Sequence, residues 1–176
     1  SDRCRPAAAV LGIVASLIVP VAVAARALEP AGSPGCTISG TKGNDVLRGT
    51  ASRDVICGRN GDDALVGLGG DDRIVGGRGN DRIDGGPGAD DLSGGRGADL
   101  VTGGGSDDHV EGGPSRDAIR GDSGSDIVQG GRGRDFCVAT DDGIVGNDVA
   151  NGGPGRDAYH ADAGDTLVSV ETARDC

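Results

Sequence analysis

Thirteen aspartates recur in one fixed setting. Asp45, Asp54, Asp63, Asp72, Asp81, Asp90, Asp99, Asp108, Asp117, Asp126 and Asp135 follow one another at nine-residue intervals. Asp148 and Asp157 resume the interval after a short break. Each stands five residues after a Gly and two before a position that is apolar in nearly every copy. Aspartate is a good turn former because its side chain bonds to nearby backbone. A turn former would be exchanged for Asn or Ser somewhere in thirteen copies, and here it never is. A charge retained at every copy points to carboxylates used as ligands, and such hard oxygen donors suit a divalent cation. Flexible loops that add backbone carbonyls select Ca²⁺ over Mg²⁺, which demands a strict octahedron.

Other chemistry is poorly served. The two histidines, His109 and His160, fall at outward positions without a nucleophile and base beside them in sequence. G-x-S-x-G, H-E-x-x-H and G-x-G-x-x-G are all absent. No catalytic or cofactor-binding residue is expected, and the histidines read as solvated surface groups.

The elements that must position the aspartates are legible as a repeat. From Gly40 the chain divides into nine-residue units, eleven of them without a gap to Val138, among them GRNGDDALV, GGRGNDRID and GGPGADDLS. All have Gly at position 1, Gly or Ser at position 4, Asp at position 6 and an apolar residue or Cys at position 8. A four-residue insertion, Ala139 to Asp142, precedes GIVGNDVAN (143–151) and GGPGRDAYH (152–160). Position 8 of the unbroken array is Leu47, Ile56, Leu65, Ile74, Ile83, Leu92, Val101, Val110, Ile119, Val128 and Cys137. One apolar residue between variable neighbours predicts a three-residue strand with its middle side chain inward. Positions 1 to 6 then form the turn, with Gly supplying positive φ and close packing. Helix is excluded, since repeated Gly would cost about 1 kcal/mol each. Worn units flank the array, as caps of a solenoid do. Residues 31–39 place Ile38 at position 8 but Cys36 at position 6; residues 161–169 place Val168 at position 8 but Thr166 at position 6.

The bulk composition agrees. Of 176 residues 36 are Gly, with one Tyr, one Phe and no Trp or Met, and the net charge is −11. Such acidity disfavours nucleic acid as a partner and favours cations. Arg3 and Arg5 precede an uncharged run from Ala7 to Ala25 and A-x-A-like sites, the layout of a secretory signal peptide over residues 1–27. A retained membrane anchor is the alternative, broken by Pro20. Beyond that segment 27 acids face 14 bases. With Cys4 in the leader, Cys36, Cys57, Cys137 and Cys176 remain, and they allow three pairings in an oxidising compartment. Cys36–Cys57 with Cys137–Cys176 is favoured, because each bond would staple one end of the array. The expected layout is therefore a leader (1–27), an N-terminal cap (28–39), the array (40–160, with the insertion at 139–142) and a C-terminal cap (161–176). Stacked acidic loops repel one another, so metal-free chain is expected to be largely unfolded and metal binding to be coupled to folding.

Units such as GGRGNDRID (76–84) resemble the G-G-x-G-x-D-x-U-x calcium-binding nonapeptides of repeats-in-toxin (RTX) proteins, over about 120 residues. The resemblance implies an all-β, right-handed parallel β-roll (a β-solenoid) with 18 residues per turn and Ca²⁺ held between like-sided loops. One edge would carry Asp45, Asp63, Asp81, Asp99, Asp117 and Asp135, the other Asp54, Asp72, Asp90, Asp108 and Asp126. That gives up to about nine ions in the unbroken array, with Asp148 and Asp157 beyond the insertion. The family usually has Asn or Asp at position 5. Here Arg53, Ala89, Ala98, Arg116, Ser125, Arg134 and Arg156 intervene, and an Arg beside the ion would weaken binding. The chain looks most like small stand-alone secreted bacterial proteins of this type. It would bind calcium and fold upon it after secretion, with no membrane contact once the leader is cleaved. The alternative is an extracellular structural or adhesive solenoid in which calcium is only a stabiliser. The position-7 face (Val46, Ala64, Arg82, Leu100, Ala118, Phe136) would then meet an unknown partner or surface.

Overall fold

The computed structural model describes residues 35–135, 138–139, 148–160 and 165–168. The expected leader, Cys4, Phe136, Cys137, Cys176 and most of the insertion and tail lie outside the described residues, as does the side chain of His160.

Residues with one inward apolar side chain per nine cannot bury it in a hairpin. They bury it by coiling, each half-turn adding a strand to one of two facing sheets. The first sheet holds β1 (Ile38–Ser39), β3 (Val55–Asn60), β5 (Arg73–Arg78), β7 (Asp91–Arg96), β9 (His109–Ser115), β11 (Ile127–Gly133), β13 (Val149–Asn151) and β15 (Thr166–Val168). The second holds β2 (Val46–Arg48), β4 (Ala64–Val66), β6 (Arg82–Pro87), β8 (Leu100–Gly105), β10 (Ala118–Ser123), β12 (Val138–Ala139) and β14 (Tyr159–His160). Strands alternate between sheets along the chain and every pairing is parallel, which makes a β-solenoid matching a β-roll. No helix occurs among the described residues.

The register fixes the period. Ile38 pairs Ile56, Ile56 pairs Ile74, and Leu65 pairs Ile83, each 18 residues on. The core is the row of position-8 side chains from Leu47 to Val128, all 6% exposed or less, extended by Ala150 and flanked by Ile38 and Leu167.

Three expectations are corrected. The strands of the middle turns are six or seven residues long, not three. β5, for example, runs through positions 7–9 and on through positions 1–3 of the next unit, with positions 8 and 1 both buried. Gly at position 1 can point inward because it has no side chain to place, so the pleat continues and the turn shrinks to positions 4–6. Second, Ile119 pairs Val138, a step of 19, where the nine-residue frame expects Cys137. The next step, Val138 to Tyr159, is 21. The insertion is thus absorbed partly before its own first residue. Third, Ala150 pairs Leu167 and Val149 pairs Thr166. The last unit is therefore shifted by one, with Leu167 at position 8 instead of Val168 and Asp165 at position 6 instead of Thr166.

Candidate metal centre

Coiling with an 18-residue pitch stacks the position-6 aspartates in two ladders, one at each edge. In the first, the Asp45 N–H donates to Asp63 Oδ1 at 2.7 Å, Asp63 to Asp81 at 2.9 Å, and Asp81 to Asp99 at 2.8 Å. Asp99, Asp117 and Asp135 extend the chain of bonds to Asp157. In the second, Asp54, Asp72, Asp90, Asp108 and Asp126 are linked in the same way through to Asp148. Asp148 and Asp157 therefore join the ladders across the insertion, by steps of 22. Asp148 N–H reaches Asp165 Oδ1 at 3.4 Å. Asp165 was missed because the frame was run on from position 160; the local spelling Asp165-Thr-Leu167, Asp two before an apolar residue, is the signal that finds it.

Each ladder bond occupies one carboxylate oxygen. The other, Oδ2, is buried without a hydrogen-bond partner in Asp63, Asp72, Asp81, Asp90, Asp99, Asp108, Asp117 and Asp135. A carboxylate oxygen removed from water without a donor is costly, so this row is the most anomalous feature of the fold. The position-1 glycines lie beside it. A Cβ on Gly58 would sit 2.5 Å from both Asp63 Oδ2 and the carbonyl oxygen of Gly76. On Gly94 it would sit 2.6 Å from Asp99 Oδ2 and 2.7 Å from the Gly112 oxygen. Carboxylate and carbonyl oxygens thus crowd a space kept open by the missing side chain, which is the donor set a hard cation requires.

Burial pushes these carboxyls up. Asp81, Asp90, Asp99, Asp117 and Asp135 rise to about 6, and Asp108 to about 7. Asp63 and Asp72 are raised as well. Desolvation is the largest cause, the ladder N–H opposes it, and neighbouring aspartates add to it. Among the described residues no three His, Cys, Asp or Glu side chains converge on one point. One carboxylate per loop, completed by backbone oxygens, does not need them to.

The position-5 side chains have another task. Asn44 Oδ1 accepts the Asp62 N–H at 2.9 Å, Asp62 accepts that of Asn80 at 2.7 Å, and Asn80 that of Ala98 at 2.8 Å. They form an outer, exposed row of stitches between turns, so Ala89 and Ala98 forfeit a stitch to the following turn. Cys36 and Cys57 are disulfide-bonded, as favoured. His109 lies on the outer surface of the first sheet, 3.3 Å from Asp91 Oδ1 and 3.2 Å from Gln129 Nε2.

A family model described as the RTX calcium-binding nonapeptide repeat matches the chain in four copies, over residues 37–65, 66–101, 102–137 and 145–168. Comparison with curated proteins gives no match. The matched segments cover well over half of the 176 residues and contain both ladders. The chain belongs to the RTX calcium-binding nonapeptide repeat family, whose repeats imply calcium binding and are typically structural.

Proposed function

We propose that the chain is an extracellular calcium-binding solenoid in which several Ca²⁺ ions engage the two aspartate ladders and drive folding after export. The observation that carries this reading is the row of buried Oδ2 oxygens without hydrogen-bond partners. Asp63, Asp81, Asp99, Asp117, Asp135 and Asp157 would serve one edge, and Asp72, Asp90, Asp108, Asp126 and Asp148 the other, each beside position-1 carbonyl oxygens. Bound calcium would bring positive charge to these carboxylates. The chain's own part is to hold one oxygen of each on a ladder N–H and to aim the other. The adhesive alternative has less support. Its described position-7 column mixes Val46, at 76% exposure, with Ala64, Arg82, Leu100 and Ala118, which is no repeating contact surface.

Circular dichroism of the full chain, titrated with Ca²⁺ and with Mg²⁺ as control, tests the reading. A cooperative gain of β signal at roughly 10⁻⁴–10⁻³ M Ca²⁺, the range of extracellular modules, is expected. A chain that stays coil in 10⁻² M Ca²⁺, about tenfold above that range, would overturn it. Full β signal in calcium-free buffer at neutral pH would reduce calcium to a stabiliser.

A further inference from the structure

The first loop of each ladder is built differently from the rest. In GTKGNDVLR and GTASRDVIC, position 2 is Thr. Asp45 Oδ2 accepts the Thr41 N–H at 2.6 Å and the Thr41 hydroxyl at 2.9 Å. Asp54 Oδ2 accepts the Thr50 N–H at 2.7 Å and the Thr50 hydroxyl at 2.9 Å. The oxygen that is buried without a partner in Asp63 and Asp72 therefore has two donors here. Each hydroxyl also accepts the N–H two residues on, from Gly43 and Ser52, both at 3.2 Å, closing a tight local turn. Thr50 Oγ1 has the Ser52 carbonyl as a second, longer acceptor at 3.2 Å. Asp54 Oδ1 is served too, by the Thr37 hydroxyl at 3.4 Å.

The backbone explains the difference. In later units position 2 has positive φ, whether the residue is Gly77 (119°), Gly86 (97°), Arg59 (85°) or Leu68 (86°). Thr41 and Thr50 are not in that region. A β-branched residue is a genuine outlier there, so Thr holds the loop in the form that turns its own N–H onto the carboxylate. Arg59 and Leu68 have side chains yet accept the strained form, and Asp63 and Asp72 in the same units keep Oδ2 open. The type of residue at position 2, and not the mere presence of a side chain, selects between a closed and an open loop.

We propose that Thr41 and Thr50 close the first loop of each ladder against calcium, so that metal loading starts at Asp63 and Asp72. The N-terminal end of the roll is then a metal-free cap, held by threonine hydroxyls and by the Cys36–Cys57 bond. This rests on the calcium reading above. It makes Asp45 and Asp54, expected from their spacing to be ligands, hydrogen-bond acceptors of the cap. A cation entering either loop would have to displace two donors from one oxygen, whereas in the next loop it displaces none.

Bound calcium per full-length chain, measured by equilibrium dialysis with elemental analysis and normalised to folded fraction by circular dichroism, is the test. The double variant Thr41→Gly/Thr50→Gly restores the open spelling and is expected to bind one or two more ions than the native chain. Asp45→Asn/Asp54→Asn keeps an acceptor for the threonines and is expected to bind as many as the native chain. Asp81→Asn/Asp99→Asn is expected to lose at least one. No gain in the threonine variant, or a loss in Asp45→Asn/Asp54→Asn equal to that in Asp81→Asn/Asp99→Asn, overturns the cap. A native chain that takes up no calcium overturns the calcium reading itself, and the cap with it.

Discussion

A single carboxylate in this fold serves two masters. Asp99 gives Oδ1 to the Asp81 N–H at 2.8 Å and leaves Oδ2 buried without a donor, at 2% exposure for the whole residue. The first oxygen is structural in any state; the second is tolerable only when a positive charge or a proton meets it. Asp99→Asn should separate the two roles. The amide oxygen still accepts the ladder bond, while the desolvated charge is gone. In calcium-free buffer at pH 7 the variant is expected to gain about 3 kcal/mol in folding free energy relative to the native chain, the equivalent of a rise from 3.8 to about 6 at 1.36 kcal/mol per pH unit. Its stabilisation by added calcium should shrink. Parallel denaturant titrations read by circular dichroism, with and without calcium, check both. An Asn variant less stable than native in calcium-free buffer would show that Oδ2 has a partner the fold depends on.

Strands and loops were legible to the extent that they obey the nine-residue frame. The inward row from Leu47 to Val128 and the two edges of aspartates follow from counting, because each unit adds half of an 18-residue turn. Where the frame breaks, hydrogen bonding and burial decide. Val138 takes the place beside Ile119, and Leu167 the place beside Ala150, since parallel pairing aligns whichever residue the intervening loop delivers. The closed loops at Thr41 and Thr50 are marked in the sequence by Thr at position 2. Its meaning lies in a φ angle that spacing does not reveal. The cap so formed is also tied covalently: Cys36, at position 6 of the worn first unit, joins Cys57 over a separation of 21 residues. In the chain-entropy picture a loop of this length contributes about 3 kcal/mol. Cys36→Ser/Cys57→Ser is expected to lower the calcium-loaded melting temperature while leaving the number of bound ions unchanged, because neither cysteine lies in an open loop. A fall in bound calcium would place the cap inside the metal-binding unit instead of ahead of it.

At the scale of the whole molecule, the buried ladders make stability depend on pH in opposite senses with and without metal. Six carboxyls, those of Asp81, Asp90, Asp99, Asp108, Asp117 and Asp135, stand at about 6 to 7 in the roll against an ordinary value of 3.8. Because their folded values are raised, the roll holds protons between pH 4 and 7 that the unfolded chain has released. Stability without metal is therefore greatest below the ordinary value and is lost as pH rises through 6 and 7. Calcium reverses this, since it needs the carboxylates ionised and competes with the same protons. In calcium-depleted buffer the chain is expected to show more β signal at pH 5 than at pH 8, and calcium should add much at pH 8 and little at pH 5. Relief of general repulsion in a chain of net charge −11 would also favour acid. Salt separates the two causes, for at about 1 M the Debye length is near 3 Å and exposed charges are screened, while buried pairs are screened much less. If 1 M NaCl at pH 8, a salt level chosen for that near 3 Å screening length, restores the β signal as fully as pH 5 does, surface charge and not the buried Oδ2 row opposes folding. If it does not, the proton and the calcium ion are interchangeable guests of the same oxygens.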